Sequence, residues 1–162
     1  MERSEGASGH PVAPRACGLR VVIGYGNELR RDDGAGPWVA RAVAARELPG
    51  VIALDAHQLL PEMAEVLADA RLAVFVDATV AQDATGVAVE PVEPRLDQGS
   101  VSHFGGPGAL LAMTRHIYRR CPRAWLVTVP AHDVALGESM TPATRALCEA
   151  AVRMVVQLVT DP

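Results

Sequence analysis

The sequence predicts an α/β fold built as a single domain, a mainly parallel twisted sheet of about five strands with helices on both faces. Three observations predict it. Short runs of β-branched and aliphatic residues alternate along the chain with segments whose apolar residues recur at helical spacing. Two of the runs, Leu72-Ala73-Val74-Phe75-Val76 and Ala124-Trp125-Leu126-Val127-Thr128-Val129, are nearly unbroken, the pattern of a strand covered on both sides. Finally, 162 residues that are 49% hydrophobic and 21% charged hold enough apolar material for one core and little for a second. Residues 1–18 mix Gly, Pro, Ser, Glu and Arg without an apolar run, so a flexible N-terminal tail is expected there, with residues 19–162 forming the domain.

The elements follow in order. Leu19-Arg20-Val21-Val22-Ile23 is a strand entering a loop at Gly24. A helix is expected from Gly36, with Pro37 at its first position and Trp38, Val39, Ala42, Val43 and Arg46 at helical spacing, ending near Pro49-Gly50. Val51-Ile52-Ala53-Leu54 is a second strand reaching Asp55, and Pro61 opens a helix through Met63, Ala64, Val66 and Leu67. The run at 72–76 is the third strand and delivers Asp77. Residues 86–91 alternate and close on Pro91, which places them at a sheet edge, antiparallel to their neighbour. A loop with Ser102 and His103 leads through Gly105-Gly106-Pro107 into a helix carrying Leu110, Leu111, Thr114 and Ile117. After the strand at 124–129, Thr141 caps a last helix, with Pro142 behind it and Ala143, Ala146, Leu147, Ala150, Met154, Val155 and Leu158 as the expected apolar stripe.

Composition excludes several classes. A net charge of -4 lacks the basic excess that neutralising nucleic-acid phosphates requires. Cys17, Cys121 and Cys148 cannot all pair within the chain and form no Cys-x-x-Cys, so a reducing cytoplasm is the expected location. No stretch approaches the roughly 18 apolar residues of a membrane span, and the tail is no secretory signal.

In parallel sheets ligands bind beyond the carboxyl ends of the strands. Three groups are expected at that edge: Asp32-Asp33 after the first strand, Asp77 after the third, and His103 before a helix. Two carboxylates and an imidazole suit a transition-metal cation such as zinc or nickel, with positions left open for water or a substrate group. The bland alternatives are a turn or helix cap for Asp32 and Asp33, which Gly34 and Gly36 favour, a strand-end cap for Asp77, and a structural role for His103. Gly24-Tyr25-Gly26-Asn27-Glu28-Leu29 begins like a dinucleotide-binding fingerprint, but Leu29 occupies the third glycine position. A phosphate-binding P-loop is absent, and the chain has no lysine to serve one. Ser102 lacks the Gly-x-Ser-x-Gly elbow of a nucleophile, Cys121 lies past a helix end, and Cys148 belongs to the core. His116 and His132 are expected at the surface and His10 in the tail.

Gly24-Tyr25-Gly26-Asn27 followed by Asp32-Asp33-Gly34-Ala35-Gly36-Pro37 resembles the opening signature of hydrogenase maturation endopeptidases. Val76-Asp77-Ala78 resembles that family's second motif, and Ser102-His103 with Pro107 resembles its third. Leu136-Gly137 through Thr141-Pro142 is similar to its loop before the last helix, and the resemblance spans residues 19–158. It implies an endopeptidase that removes a C-terminal peptide from the nickel-loaded large-subunit precursor of a NiFe hydrogenase. It also implies Asp33, Asp77 and His103 as the catalytic and metal-contacting residues, with nickel carried by the substrate and zinc or cadmium able to stand in for it in vitro. Asp55-Ala56-His57-Gln58 departs from the common Asp-Gly-Gly version of the family and resembles the branch serving cytoplasmic, cofactor-reducing hydrogenases, which brings His57 and Gln58 to the same edge as substrate contacts or turn residues. Two rivals stand beside this reading: a non-enzymatic nickel-binding assembly chaperone using the same ligands, and a nucleotide-binding regulatory domain using Asp55 as its ribose acid.

Overall fold

The structure is a computed structural model and describes residues 18–80, 83–95 and 105–161. Residues 1–17 of the expected tail, and the expected site residues Ser102 and His103, lie outside the described residues. Five strands form one sheet in the order β2-β1-β3-β5-β4: β1 Arg20–Tyr25, β2 Val51–Ala56, β3 Leu72–Thr79, β4 Ala88–Pro91 and β5 Arg123–Pro130. β1, β2, β3 and β5 are parallel, and β4 closes one edge antiparallel to β5, as its terminal proline foretold.

Helices cover both faces. On one face α1 (Ala35–Ala44) and α4 (Pro142–Thr160) pack on Val22, Val74, Val76, Val127 and Val129. On the other, α2 (Met63–Asp69) and α3 (Pro107–Tyr118) cover Val21, Ile23, Ala73, Phe75 and Ala124. The alternation along β1 and β3 thus splits each strand's side chains between two dry cores. Burying an aliphatic or phenyl side chain of this kind stabilises the fold by about 1.5–3 kcal/mol, so the two-sided strands are its main fixed points.

Helix limits differ from expectation for local reasons. α1 begins one residue early, because a single 3-10 turn, Arg31–Gly34, winds straight into it, and Pro37 falls at its third position, where the missing N–H is still one that no helical carbonyl would take. It stops at Ala44, short of Pro49, where the Glu47 N–H turns back to the Ala44 carbonyl and Glu47 adopts φ 47°. Pro61 lies in a turn ahead of α2, not in it.

Two stripes need correction. Ile117 is 57% exposed, because it sits on the last turn of α3, whose buried side chains are Leu110, Leu111 and Thr114. In α4 the buried side is Thr144, Cys148, Ala151, Val152, Val155 and Val159, whereas Ala143, Ala146 and Met154 are exposed. Of the expected stripe Val155 is buried, and Leu147, Ala150 and Leu158 are half-buried. A polar residue, Thr144, sets the helix's rotation by facing inward. Thr141 is the expected cap, its hydroxyl accepting the Thr144 N–H at 3.3 Å. No helix among the described residues is long and apolar enough to cross a membrane.

Candidate functional site

The connection leaving β1 turns over one face towards β2, and the connection leaving β3 runs to the opposite side of the sheet towards β5, so the two diverge above the carboxyl ends of neighbouring strands. Such a divergence opens a crevice. Asp33 and Asp77 both sit there.

Asp33 is positioned by the loop after β1. Its carboxylate accepts the Asn27 N–H at 2.9 Å, while the Asn27 side chain accepts the Leu29 N–H at 3.0 Å, so one asparagine shapes the loop in both directions. Close approach of backbones makes this possible. Gly26 has φ +147°, and a Cβ there would collide with the Asp33 carbonyl oxygen; a Cβ on Gly36 would collide with the carbonyls of Tyr25 and Val76. The glycines of the opening motif therefore press the start of α1 against β1 and β3, which brings Asp33 to the end of β3.

Asp77 lies one residue beyond the last β1–β3 pair, Gly24 with Val76, and pairs in register with Thr128 of β5. It alternates with Ala73 and Phe75, which directs its side chain to the face covered by α2 and α3. Its carboxylate accepts the Ala78 N–H at 2.8 Å. Burial pushes the Asp77 carboxyl up to about 6; the Tyr25 hydroxyl and the Ala78 N–H act against that, and the nearby Asp33 charge adds to it. Tyr25 in turn has its hydroxyl pKa raised, by burial first and by the Asp77 charge second. The structure therefore brings Asp33 and Asp77 close enough to repel. Among the described residues no three His, Cys, Asp or Glu side chains form a metal-binding group, and this pair is the described part of the expected set.

Asp32 has a different task. It is fully buried, and its carboxylate accepts five hydrogen bonds: from the N–H groups of His132, Asp133 and Thr141 at 2.9, 3.0 and 2.7 Å, and from the hydroxyls of Thr141 and Thr144 at 2.9 and 2.8 Å. Burial opposes its charge, yet the donors from Thr141, Thr144 and His132 prevail and hold its pKa at about 2. It ties the loop after β5 to the loop after β1. His132 is exposed, as expected, but its Nδ1 lies 2.9 Å from the Thr144 hydroxyl, so it belongs to this cluster.

The remaining candidates fall as follows. Asp55 pairs with Arg41 at 2.9 Å, and the same guanidinium holds Glu28, so the acid that a ribose would need already has a cation. His57 and Gln58 are exposed just past the carboxyl end of β2. Cys148 is buried in the core, where burial pushes its thiol up to about 12, and Cys121 is half-buried after α3. His116 is exposed on α3. Sequence reasoning missed Tyr25 beside Asp77, although its two-residue spacing from Val21 and Ile23 put it on the same face.

No protein-family profile and no curated protein matches the chain. Solved structures do. The NiFe hydrogenase maturation protease HybD from Thermococcus kodakarensis aligns with a TM-score of 0.70 at 20% identity, over 88% of this chain and 99% of that one. The maturation protease HycI from the same organism gives 0.69 at 18% identity, over 88% and 93%. The hydrogenase maturating endopeptidase HybD from E. coli gives 0.69 at 21% identity, over 87% and 91%. The fold is that of the hydrogenase maturation proteases. Within that maturation-protease fold the crevice at the β1–β3 divergence carries two acids of this chain, one of them holding its proton unusually well.

Proposed function

We propose that this chain is an endopeptidase that removes a C-terminal peptide from the nickel-loaded large-subunit precursor of a NiFe hydrogenase. The observation that carries this reading is the convergence of Asp33 and Asp77 at the strand divergence of a maturation-protease fold. Asp77, which burial foremost and the Asp33 charge in addition keep from ionising, forms with Asp33 a site that a divalent cation stabilises, because the cation replaces the proton and offsets both the lost hydration and the repulsion. Asp33, Asp77 and His103 contact the nickel carried by the substrate, and His103 enters this set on the motif Ser102-His103 with Pro107. Nickel is then the recognition signal: it completes the docking site and holds the scissile bond beside it for attack by water. In its absence zinc or cadmium occupies the same ligands in vitro. The substrate is the subunit of a cytoplasmic, cofactor-reducing hydrogenase, which makes the cytoplasm the place of action.

The test is intact mass spectrometry of a nickel-loaded precursor incubated with this protein or with its Asp77→Asn variant. Loss of a C-terminal peptide with the wild type alone is expected. Full processing by Asp77→Asn overturns the site, and no processing by either, with metal still bound, transfers the reading to an assembly chaperone. A second measurement concerns the imidazole. His103→Ala should weaken zinc or nickel binding about tenfold or more in titration calorimetry, and unchanged affinity removes His103 from the ligand set.

A further inference from the structure

The Asp77 carboxylate takes one donor from its own strand and one from the strand beside it. The first is the Ala78 N–H, 2.8 Å from Oδ1. The second comes from β1. β1 and β3 run parallel with Gly24 opposite Val76, so the next residues, Tyr25 and Asp77, stand side by side on neighbouring strands about 4.8 Å apart. Tyr25 alternates with Val21 and Ile23 as Asp77 does with Ala73 and Phe75, so both side chains face α2 and α3. The Tyr25 ring packs on that core and its hydroxyl bonds the Asp77 side chain. An ionised carboxylate only accepts, so the phenol is the donor.

Tyr25 is a fixed platform for this bond. Its backbone is in register with Ala56 of β2, and Gly36 of α1 lies so close against it that a Cβ there would strike the Tyr25 carbonyl and N–H. The donor is also neutral. Asp55, at the carboxyl end of β2, is held at 2.9 Å by the Arg41 guanidinium, which cancels its charge. Asp77 is held without being neutralised. A carboxylate has roughly four lone-pair positions, so the Ala78 N–H and the Tyr25 hydroxyl leave room for a cation. Orientation at undiminished negative charge is what a metal-contacting carboxylate gains from a hydrogen-bonding neighbour.

We propose that Tyr25 is a positioning residue: its hydroxyl, docked on the Asp77 carboxylate, holds that carboxylate towards Asp33, so that the substrate's nickel meets a preformed pair of acids. The proposal rests on the nickel-dependent reading for the identity of the metal and deepens it by naming what orients one of the acids.

The experiment uses the full chain as wild type, Tyr25→Phe, Asp77→Asn, the double variant Tyr25→Phe/Asp77→Asn, and the control Tyr118→Phe at the only other tyrosine. Zinc affinity is measured by titration calorimetry, processing of the nickel-loaded precursor by mass spectrometry, folding by thermal melting, and the tyrosine hydroxyl proton by NMR. Tyr25→Phe should melt close to the wild type, bind zinc about tenfold more weakly and raise KM about tenfold with kcat nearly unchanged, while Tyr118→Phe matches the wild type. In the Asp77→Asn background the same change should cost no further zinc affinity, because Tyr25 acts through Asp77. The wild type should show a slowly exchanging hydroxyl proton that Tyr118→Phe retains and Asp77→Asn shifts. Wild-type zinc affinity in Tyr25→Phe overturns the proposal, and so does an equal tenfold loss in the Asp77→Asn background. Should Tyr25→Phe fail to fold, the spectrum decides: a hydroxyl proton that is absent or indifferent to Asp77→Asn overturns the proposal, and a shifted one supports it. A wild type that binds zinc without cutting the precursor, with zinc affinity weakened in Tyr25→Phe, sinks proteolysis and leaves the role of Tyr25 standing.

Discussion

Asp32 and Asp33 are chain neighbours, and Asp33 and Asp77 are neighbours in space, yet the three carboxylates live in opposite circumstances. Asp32 is fully buried with five donors around it, and its charge is held so firmly that its pKa falls to about 2. Asp77 receives one backbone N–H and the influence of one tyrosine, faces the Asp33 charge, and keeps its proton up to about 6. A satisfied buried charge is a structural bolt, whereas an under-satisfied pair of charges stores unfavourable energy that a binding partner can release. The difference separates the residue that builds the crevice from the residues that would work in it. It also explains why the motif needs two aspartates in a row: one turn of 3-10 helix directs the first into the protein and the second towards the crevice.

The largest effect expected from breaking this contrast is on processing. Asp33→Asn or Asp77→Asn should lower the rate of precursor cleavage by about a thousandfold or more, since each removes a charged ligand at nearly constant volume. Neither should lower the melting temperature. A melting loss in Asp77→Asn as large as the one predicted for Asp32 below would erase the distinction drawn between them.

Next in size is the structural bolt. Asp32→Ala leaves the donors of His132, Asp133, Thr141 and Thr144 without their acceptor, and should cost about 3 kcal/mol or more of stability, read as a loss of roughly 10 °C in melting temperature. Thr144→Val, which keeps the shape but removes one donor, should cost about 1–2 kcal/mol. Both are measured by urea unfolding, and an Asp32→Ala protein as stable as the wild type would show that the cluster is incidental.

These roles were unequally legible in the sequence. The two-sided strands β3 and β5 announce themselves as apolar runs, Pro91 marks the edge strand, and Thr141-Pro142 marks the start of α4. Asp77 was legible because a carboxylate ending such a run has to sit at the sheet's carboxyl edge. Asp32 was not, because its partners stand about a hundred residues away and three of them are backbone N–H groups with no signature of their own. The rotation of α4 was missed for the same reason: Thr144 reads as polar and outward until the carboxylate that its hydroxyl serves is known. Periodicity counts apolar residues, and here a polar network overrides it.

The smallest effect, and the one that tests the contrast most directly, is the pH dependence of stability. Asp32 has a native pKa of about 2 against an ordinary value of 3.8, so between these values the unfolded chain binds more protons. Its contribution is present above pH about 4 and is lost as pH falls towards 2. Asp77 has a native pKa of about 6 against the same 3.8, so there the native state binds more protons, and stability falls as pH rises from about 4 to 6. The wild type should therefore climb in stability from pH 2 to 4 and fall again by pH 6. Urea unfolding of Asp77→Asn should show no decline on the upper limb and an advantage of about 1–2 kcal/mol at pH 7, the cost of the charge at this position having been removed. Asp32→Asn should flatten the lower limb and leave the upper one. If Asp77→Asn declines between pH 4 and 6 as the wild type does, the crevice does not penalise the Asp77 charge by burial and by the Asp33 charge beside it, and the reason for expecting a cation there is gone.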